Sequence, residues 1–183
     1  MPVAMTKPSD TLVWVDLEMT GLEPDCHAIL EMAIVLTDPN LTEVAAPLDL
    51  FIWQPESILA AMSPYVRAMH DKTGLLAQVR KSQMSTVEAE RAALELLSSH
   101  TSYRTARLCG NSISQDRRFL VRHMPAFENY LHYRQIDVST VKELSGWWYG
   151  TKYEKPEAGK HNALNDVRQS IAELKYYRGQ IFR

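Results

Sequence analysis

The stretch Val13-Trp14-Val15-Asp16-Leu17-Glu18-Met19-Thr20-Gly21 places two carboxylates at the end of an apolar run. Residues 12–15 are rich in β-branched and aromatic side chains, which predicts a buried β-strand. Residues i and i+2 of a strand lie on the same side, about 6.5–7 Å apart, so Asp16 and Glu18 are expected to face one small volume. Like charges so close are costly unless a cation lies between them, although two solvated acids at a strand end would also explain the pattern. Acids elsewhere in the chain therefore decide between these interpretations.

The bulk properties are those of an ordinary folded domain. The 183 residues are enough for one sizeable core, and we expect a short polar tail over residues 1–11 and a single domain over residues 12–183. No apolar run approaches the ~20 residues needed to cross a bilayer, and the first ten residues lack the apolar segment of a signal peptide. The two cysteines, Cys26 and Cys109, are too few for a disulfide framework. The sequence therefore predicts a cytoplasmic protein with no membrane partner.

The charge of the chain restricts its partners. The net charge is −2, which argues against a broad basic surface that grips long nucleic acid. A short phosphorylated substrate remains compatible, because bound metal ions would supply local positive charge. A P-loop phosphohydrolase is excluded, because the sequence contains no Gly-x-x-x-x-Gly-Lys motif.

The order of elements predicts an α/β fold. Short turns connect the first strand to strands expected over residues 28–37 and 48–53, which favours an antiparallel meander. Short helices are expected around Gly74, and Ser112 with Gln115 has the form of a capping box that would begin a helix. The remaining predicted elements alternate along the chain: a helix over 86–99, a strand over 107–109, a strand over 134–138, and helices over 139–148 and 163–178. Strands and helices in this order predict a mixed sheet in an α/β layer.

Two further acids and a histidine lie near predicted element ends. Asp116 falls in the first turn of a helix, where the helix dipole favours an acid, but also beside the carboxyl end of a strand, where α/β sheets place their sites. His161 and Asp166 are five residues apart and cannot share a helix face, so we expect His161 in a loop, Asn162 as the cap, and Asp166 one turn into the helix. Four carboxylates suit two hard divalent cations. A pair of such ions is used by enzymes that catalyse in-line displacement at phosphorus.

Four segments of the sequence resemble the oligoribonuclease family. They are Trp14-Val-Asp-Leu-Glu-Met-Thr-Gly-Leu22, Cys109-Gly-Asn-Ser-Ile-Ser-Gln-Asp-Arg-Arg-Phe-Leu120, His132-Tyr-Arg-Gln-Ile-Asp-Val-Ser-Thr-Val-Lys-Glu-Leu144 and His161-Asn-Ala-Leu-Asn-Asp166. The similarity extends over residues 12–177, nearly the whole chain. It implies an RNase H-like mixed β-sheet flanked by helices, and a homodimeric exonuclease. The implied activity is 3′→5′ cleavage of very short single-stranded RNA to 5′-mononucleotides, with two divalent ions, Mg²⁺ or Mn²⁺.

The resemblance also implies roles for individual residues. The metal ligands would be Asp16, Glu18, Asp116 and Asp166, and His161 would be the general base toward the attacking water. Leu22 and His70 resemble the residues that pack against the two bases of a dinucleotide. The residues that resemble the enclosure of the substrate's 5′ phosphate are Ser112, Arg134, Ser139 and Thr140, with Tyr133 contributed by the partner subunit. The family often has Asp where this chain has Asn165, a departure that concerns metal affinity, and residues 146–160 diverge from the family.

Two other functions remain open at this point. A proofreading or tRNA-trimming exonuclease would take longer strands, but the near-neutral charge and the resemblance to a 5′-phosphate enclosure speak against it. A non-catalytic RNA-binding module with the same fold would be expected to lack at least one metal ligand. All four acids and the histidine are present, which favours the enzyme.

Overall fold

A five-stranded mixed sheet forms the centre of the computed structural model, which describes residues 10–155 and 162–182. Its strands are β1 Leu12–Met19, β2 Ile29–Thr37, β3 Leu48–Phe51, β4 Arg107–Gly110 and β5 Gln135–Asp137. They lie in the order β3-β2-β1-β4-β5. The first three strands pair antiparallel, whereas β4 and β5 run parallel to β1. The predicted meander and mixed sheet are therefore confirmed.

Eight helices flank the sheet in the described part of the chain. They are α1 Glu56–Ala60, α2 Pro64–Lys72, α3 Leu75–Lys81, α4 Thr86–His100, α5 Ser114–His123, α6 Pro125–Tyr130, α7 Val138–Tyr149 and α8 Ala163–Ile181. Asn162 caps α8 as predicted, because its side-chain oxygen accepts a hydrogen bond from the N–H of Asn165 at 3.1 Å. Within the described residues, none of these helices has the length and apolarity that a membrane crossing requires.

The central strand β1 is buried on both faces, and its successive side chains point alternately to the two faces of the sheet. Val13, Val15 and Leu17 join the core cluster that includes residues of α4, α5 and α6. Leu12 and Trp14 join the opposite cluster, which contains the buried side of α8. Asp16 and Glu18 continue the row of Leu12 and Trp14, so the alternation of the strand directs both acids to the face that α8 covers.

β1 carries Asp16 and Glu18 near its end, as predicted, and runs to Met19. One prediction about local structure is wrong. Ser112 does not form a capping box, because α5 begins at Ser114 and has no side-chain cap. The backbone of Ser112 has a positive φ of 51°, and its N–H donates to Oδ1 of Asp137 at 2.9 Å. These contacts with the start of α7 hold Ser112 in a conformation that cannot cap α5.

Two short helices were not predicted from the sequence. α1 has five residues and α6 has six, which is too short for a helical period to be recognised. The closing helix has the predicted start and continues to Ile181, three residues beyond its predicted end at Arg178. Val167 and Ile171 of this helix are buried, and Leu164 and Leu174 are packed partly buried against the same cluster.

Candidate active site

Three acids from two elements meet on the face of β1 that α8 covers. Asp16 and Glu18 of β1 and Asp166 of α8 each offer a carboxylate oxygen, and these oxygens lie within 4.8 Å of one another. Asp116 approaches from α5, and its Oδ1 accepts a hydrogen bond from the N–H of Leu17 at 3.0 Å. β4 ends at Gly110, whereas β1 continues, so Asp116 binds a strand N–H that lies beyond the paired stretch of β4. The structure thus brings together all four acids that the sequence singled out.

Burial and mutual repulsion oppose the ionisation of these acids. Burial, followed by the charges of Asp166 and Asp116, raises the pKa of Glu18 to about 7. Burial raises the pKa of Asp116 to about 7 despite the hydrogen bond from Leu17. The pKa of Asp16 is also raised well above its ordinary value, first by burial and then by Asp116 and Glu18. A buried set of hard oxygen donors whose ionised forms repel one another fits divalent cations such as Mg²⁺ and Mn²⁺.

A second acid pair lies directly beside this cluster. Glu31 of β2 is 1% exposed and is the register partner of Glu18. Burial and the neighbouring carboxyl of Asp49 raise the pKa of Glu31, and the two side chains are hydrogen-bonded to each other. Glu31 also accepts hydrogen bonds from Nδ2 of Asn162, at 3.4 Å, and from the backbone N–H of Ala163. Glu31 therefore ties the start of α8, and with it Asp166, to the sheet.

Glu31 was not a predicted site residue. The sequence shows only one acid that interrupts an apolar strand, and that pattern does not reveal the register that places Glu31 opposite Glu18. The predicted general base, His161, lies outside the described residues. Its neighbour Asn162 is the residue that Glu31 holds.

The two residues expected near the bases differ in exposure. Leu22 is 65% exposed, and its carbonyl oxygen accepts a hydrogen bond from Nε2 of Gln115 at 2.6 Å. His70 is completely buried, with Nε2 at 2.8 Å from the carbonyl oxygen of Met19 and Nδ1 at 3.8 Å from Oε2 of Glu18. Leu22 is thus open to a ligand, whereas His70 contacts the end of β1 and one acid of the cluster.

Part of the expected 5′-phosphate enclosure comes together at the start of α7. Oγ of Ser112 lies 3.2 Å from Oγ of Ser139, and Oδ1 of Asp137 accepts the N–H of both serines at 2.9 Å. Thr140 is exposed in the first turn of α7. Arg134 is exposed just before β5, with its guanidinium carbon 5.4 Å from the ring centre of Tyr133. Tyr133 is 72% exposed.

Comparison with known proteins identifies the family. The family model described as an exonuclease, RNase T, matches residues 13–174. The chain is 47% identical over 180 residues to an oligoribonuclease of Azoarcus sp., covering 98% of this chain and 99% of that protein. It is 47% identical over 173 residues to an oligoribonuclease of Pseudomonas aeruginosa, covering 94% and 96% of the two chains. The chain belongs to the oligoribonuclease family.

Solved structures of exonuclease I share the fold of this oligoribonuclease family member. Exonuclease I from Methylocaldum szegediense gives a TM-score of 0.70 at 19% identity, covering 94% of this chain and 41% of that one. The zinc-bound E. coli exonuclease I complex with single-stranded DNA gives a TM-score of 0.75 at 15% identity, covering 96% and 42%. The chain thus spans about two fifths of the length of these exonuclease I chains. The likeness confirms the RNase H-like fold, and the acid cluster within it indicates dependence on divalent metal.

Proposed function

We propose that this chain is a metal-dependent 3′→5′ exoribonuclease that hydrolyses very short RNA, dinucleotides above all, to 5′-mononucleotides and so completes RNA degradation. The observation that carries the proposal is the convergence of Asp16, Glu18 and Asp166 within 4.8 Å in a chain of the oligoribonuclease family. The two oligoribonucleases named above are similar over almost their entire length, which supports the same activity here.

In the proposed mechanism, Asp16, Glu18, Asp116 and Asp166 hold two divalent ions, Mg²⁺ or Mn²⁺. When bound, such ions supply the positive charge that an in-line displacement at phosphorus requires. The hydrogen bond from Leu17 fixes Asp116 against the strand that carries Asp16 and Glu18, so three of the ligands are held by one short piece of backbone. His161 accepts the proton of the attacking water, the role for which an imidazole has a suitable pKa near neutral pH.

The substrate's two ends require different groups. Leu22 offers an exposed apolar surface to a base, and His70, which is buried against β1, supports the wall of that site. The backbone N–H groups of Ser112 and Ser139 already donate to Asp137. A 5′ phosphate would therefore be bound by side-chain hydroxyls and by the guanidinium of Arg134, a charge-assisted contact of the stronger kind.

The proposal extends to assembly, compartment and domain organisation. We propose a homodimer in which the partner subunit's Tyr133 completes the substrate site, since the exposed ring of this residue is available on the surface. A cytoplasmic location is supported by two free cysteines, Cys26 and Cys109. Residues 12–183 would form the exonuclease domain, with residues 1–11 as its tail.

The experiment that tests the function is a cleavage assay on 5′-labelled RNAs of two to ten nucleotides in Mg²⁺ or Mn²⁺, resolved by length. We expect stepwise removal of 3′ nucleotides and complete conversion of the dinucleotide, with no product in excess EDTA. Residual activity in EDTA, or internal cleavage that leaves the 3′ end intact, would contradict the proposal.

A further inference from the structure

Arg117 is a largely buried arginine of α5 that the proposed mechanism does not use. Its side chain is 16% exposed, and its Nε and Nη2 both donate to Oε1 of Glu128 in α6, at 3.0 and 2.8 Å. The same guanidinium donates to two backbone carbonyl oxygens, from Nη1 to Tyr133 at 2.9 Å and from Nη2 to His132 at 3.2 Å. Four of its five N–H groups are thus engaged. Because a guanidinium only donates, the direction of each of these hydrogen bonds is fixed.

The two carbonyl groups belong to the 132–134 segment, which carries Arg134. The rings of His132 and Tyr133 are stacked at 4.5 Å, and the guanidinium carbon of Arg134 lies 5.4 Å from the ring centre of Tyr133. The N–H of Arg134 donates to Nδ1 of His132 at 3.0 Å. The N–H of His132 donates to the carbonyl oxygen of Ala106 at 2.8 Å, which anchors the start of the segment. Arg117 holds the two carbonyl groups that follow, directly before Arg134.

The first turn of α5 also contacts other parts of the proposed site. Asp116, which directly precedes Arg117, accepts a backbone N–H of β1 at 3.0 Å. Gln115 donates from Nε2 to the carbonyl oxygen of Leu22 at 2.6 Å. Three consecutive residues of one helix therefore contact the strand of the acid cluster, the exposed Leu22 and the 132–134 segment. Groups held by a helix are positioned more precisely than groups held by loops alone.

We propose that Arg117 is a positioning residue for the substrate's 5′ end. By holding the carbonyl groups of His132 and Tyr133, it fixes the backbone from which the guanidinium of Arg134 reaches the 5′ phosphate. A lysine at position 117 would keep the positive charge, but its single nitrogen lacks the fork that joins Glu128 to both carbonyl groups. This inference rests on the proposed function, because it concerns the binding of the same RNA substrate.

The test compares kcat/KM for a dinucleotide that carries a 5′ phosphate with kcat/KM for the same dinucleotide that carries a 5′ hydroxyl. We expect the wild-type protein to prefer the 5′ phosphate and Arg117→Lys to lose roughly tenfold of that preference, which is the scale of coupling between neighbouring residues. The loss should appear mainly in KM of the 5′-phosphorylated substrate, because the metal ligands are unchanged. The matched control on α5 is Arg122→Lys, at an exposed ion pair with Asp25 at 2.9 Å, which should keep the wild-type ratio.

A double-mutant cycle measures whether Arg117 acts through Arg134. Arg134→Ala alone should remove much of the preference for the 5′ phosphate. Adding Arg117→Lys to it should remove nothing more, because the group that Arg117 positions has gone. Glu128→Gln removes the charge that holds the Arg117 guanidinium and should lower the ratio in the same direction, which covers a failure of Arg117→Lys to fold.

The outcomes separate this inference from the proposed function. A wild-type protein that does not cut dinucleotides would contradict the proposed function. A wild-type protein that cuts them with equal kcat/KM for both 5′ ends would overturn this inference alone. Variants at Arg117 and Glu128 that lower the melting temperature but keep the wild-type ratio would also overturn it, because they would show a purely structural role. So would losses from Arg117→Lys and Arg134→Ala that multiply in the double variant, because Arg117 would then act independently of Arg134.

Discussion

The charge of Asp16 is costly in the absence of metal. It faces Asp116, Glu18 and Asp166, and burial adds to their repulsion. We expect Asp16→Asn to remove nearly all turnover while the fold is retained, because an amide replaces a charged ligand. The metal-free variant should be at least as stable as the metal-free wild type, since one repelling charge has gone. Turnover and melting temperature check this, and a substantial fraction of normal turnover would contradict it.

The raised pKa values predict how stability depends on pH. The pKa values of Glu18 and Asp116 are raised to about 7, whereas carboxyl groups in an unfolded chain titrate near ~4. Between these values the folded state binds more protons than the unfolded state, so the free energy of unfolding falls as pH rises toward 7. We expect the melting temperature of the metal-free protein to fall as pH rises from ~5 to ~8, and saturating Mg²⁺ to remove most of that decline. Parallel curves with and without Mg²⁺ would contradict the account.

His161 is expected to act on the rate of the chemical step. Because a general base contributes about 10²- to 10⁴-fold, His161→Ala should lower kcat by that factor and change substrate affinity much less. Single-turnover rates together with equilibrium binding in Ca²⁺ separate the two effects. A loss that lies entirely in KM would show that His161 binds substrate.

Site residues could be predicted from the sequence where they lie in a recognisable motif. Asp16 and Glu18 stand out because two acids interrupt an apolar strand, and the structure places both on the face covered by α8. Glu31 was not found. Its place beside the cluster depends on the register that sets it opposite Glu18 and on the contact with Asn162, which lies 131 residues away in the chain.

At the level of elements, the end of β4 controls the geometry of the cluster. A Cβ added to Gly110 would lie 2.9 Å from the carbonyl oxygen of Val15 and 2.8 Å from Cδ1 of Ile113. Since Val15 directly precedes Asp16, a larger side chain at position 110 must displace β1 or the loop that leads to α5. We expect Gly110→Ala to destabilise the protein by about 1–3 kcal/mol and to lower kcat.

The matched control for that substitution is Gly146→Ala. Gly146 lies in α7, and an added Cβ would meet no atom within 4 Å. Alanine is favoured over glycine in a helix by about 1 kcal/mol, so this variant should be as stable as the wild type or more stable. Chemical denaturation measures both variants, and equal effects would show that the approach of Gly110 to Val15 is unimportant.

Elements with a long hydrophobic period were predicted well, and irregular junctions were not. α4 and α8 lie within a few residues of their predicted positions because each carries an apolar stripe over several turns. The capping box at Ser112 was wrong although its letters fit the motif. Asp137, which follows Ser112 by 25 residues, accepts a hydrogen bond from the backbone N–H of Ser112. A motif of four residues contains no information about a partner so far along the chain.

For the molecule as a whole, the charge limits how RNA can be bound. With a net charge of −2, the protein cannot gain much affinity from contacts along a long phosphate backbone. We therefore propose that binding is concentrated on a few nucleotides, between the exposed Leu22 and the group around Arg134. Stacking contributes ~1–3 kcal/mol per base, and a guanidinium on a terminal phosphate adds a charge-assisted hydrogen bond.

Arg134→Ala tests the contribution of the 5′ end to this binding. The variant should lose much of the difference in affinity between 5′-phosphorylated and 5′-hydroxyl dinucleotides, because its guanidinium is the charged donor of the proposed enclosure. Arg168→Met on α8 removes an exposed ion pair with Glu43. It is the matched loss of one positive charge and should keep that difference. An equal loss in both variants would indicate a general effect of charge.

The proposed restriction to very short RNA is tested by the dependence of binding on RNA length. Equilibrium affinities are determined for 5′-phosphorylated RNAs of two, three, five and ten nucleotides in Ca²⁺, which should support binding with little cleavage. We expect the tightest binding for the dinucleotide and weaker binding as the RNA lengthens, because an enclosed 5′ phosphate obstructs an RNA that continues past it. Affinity that rises steadily with length would contradict this restriction and indicate an exonuclease for longer single strands.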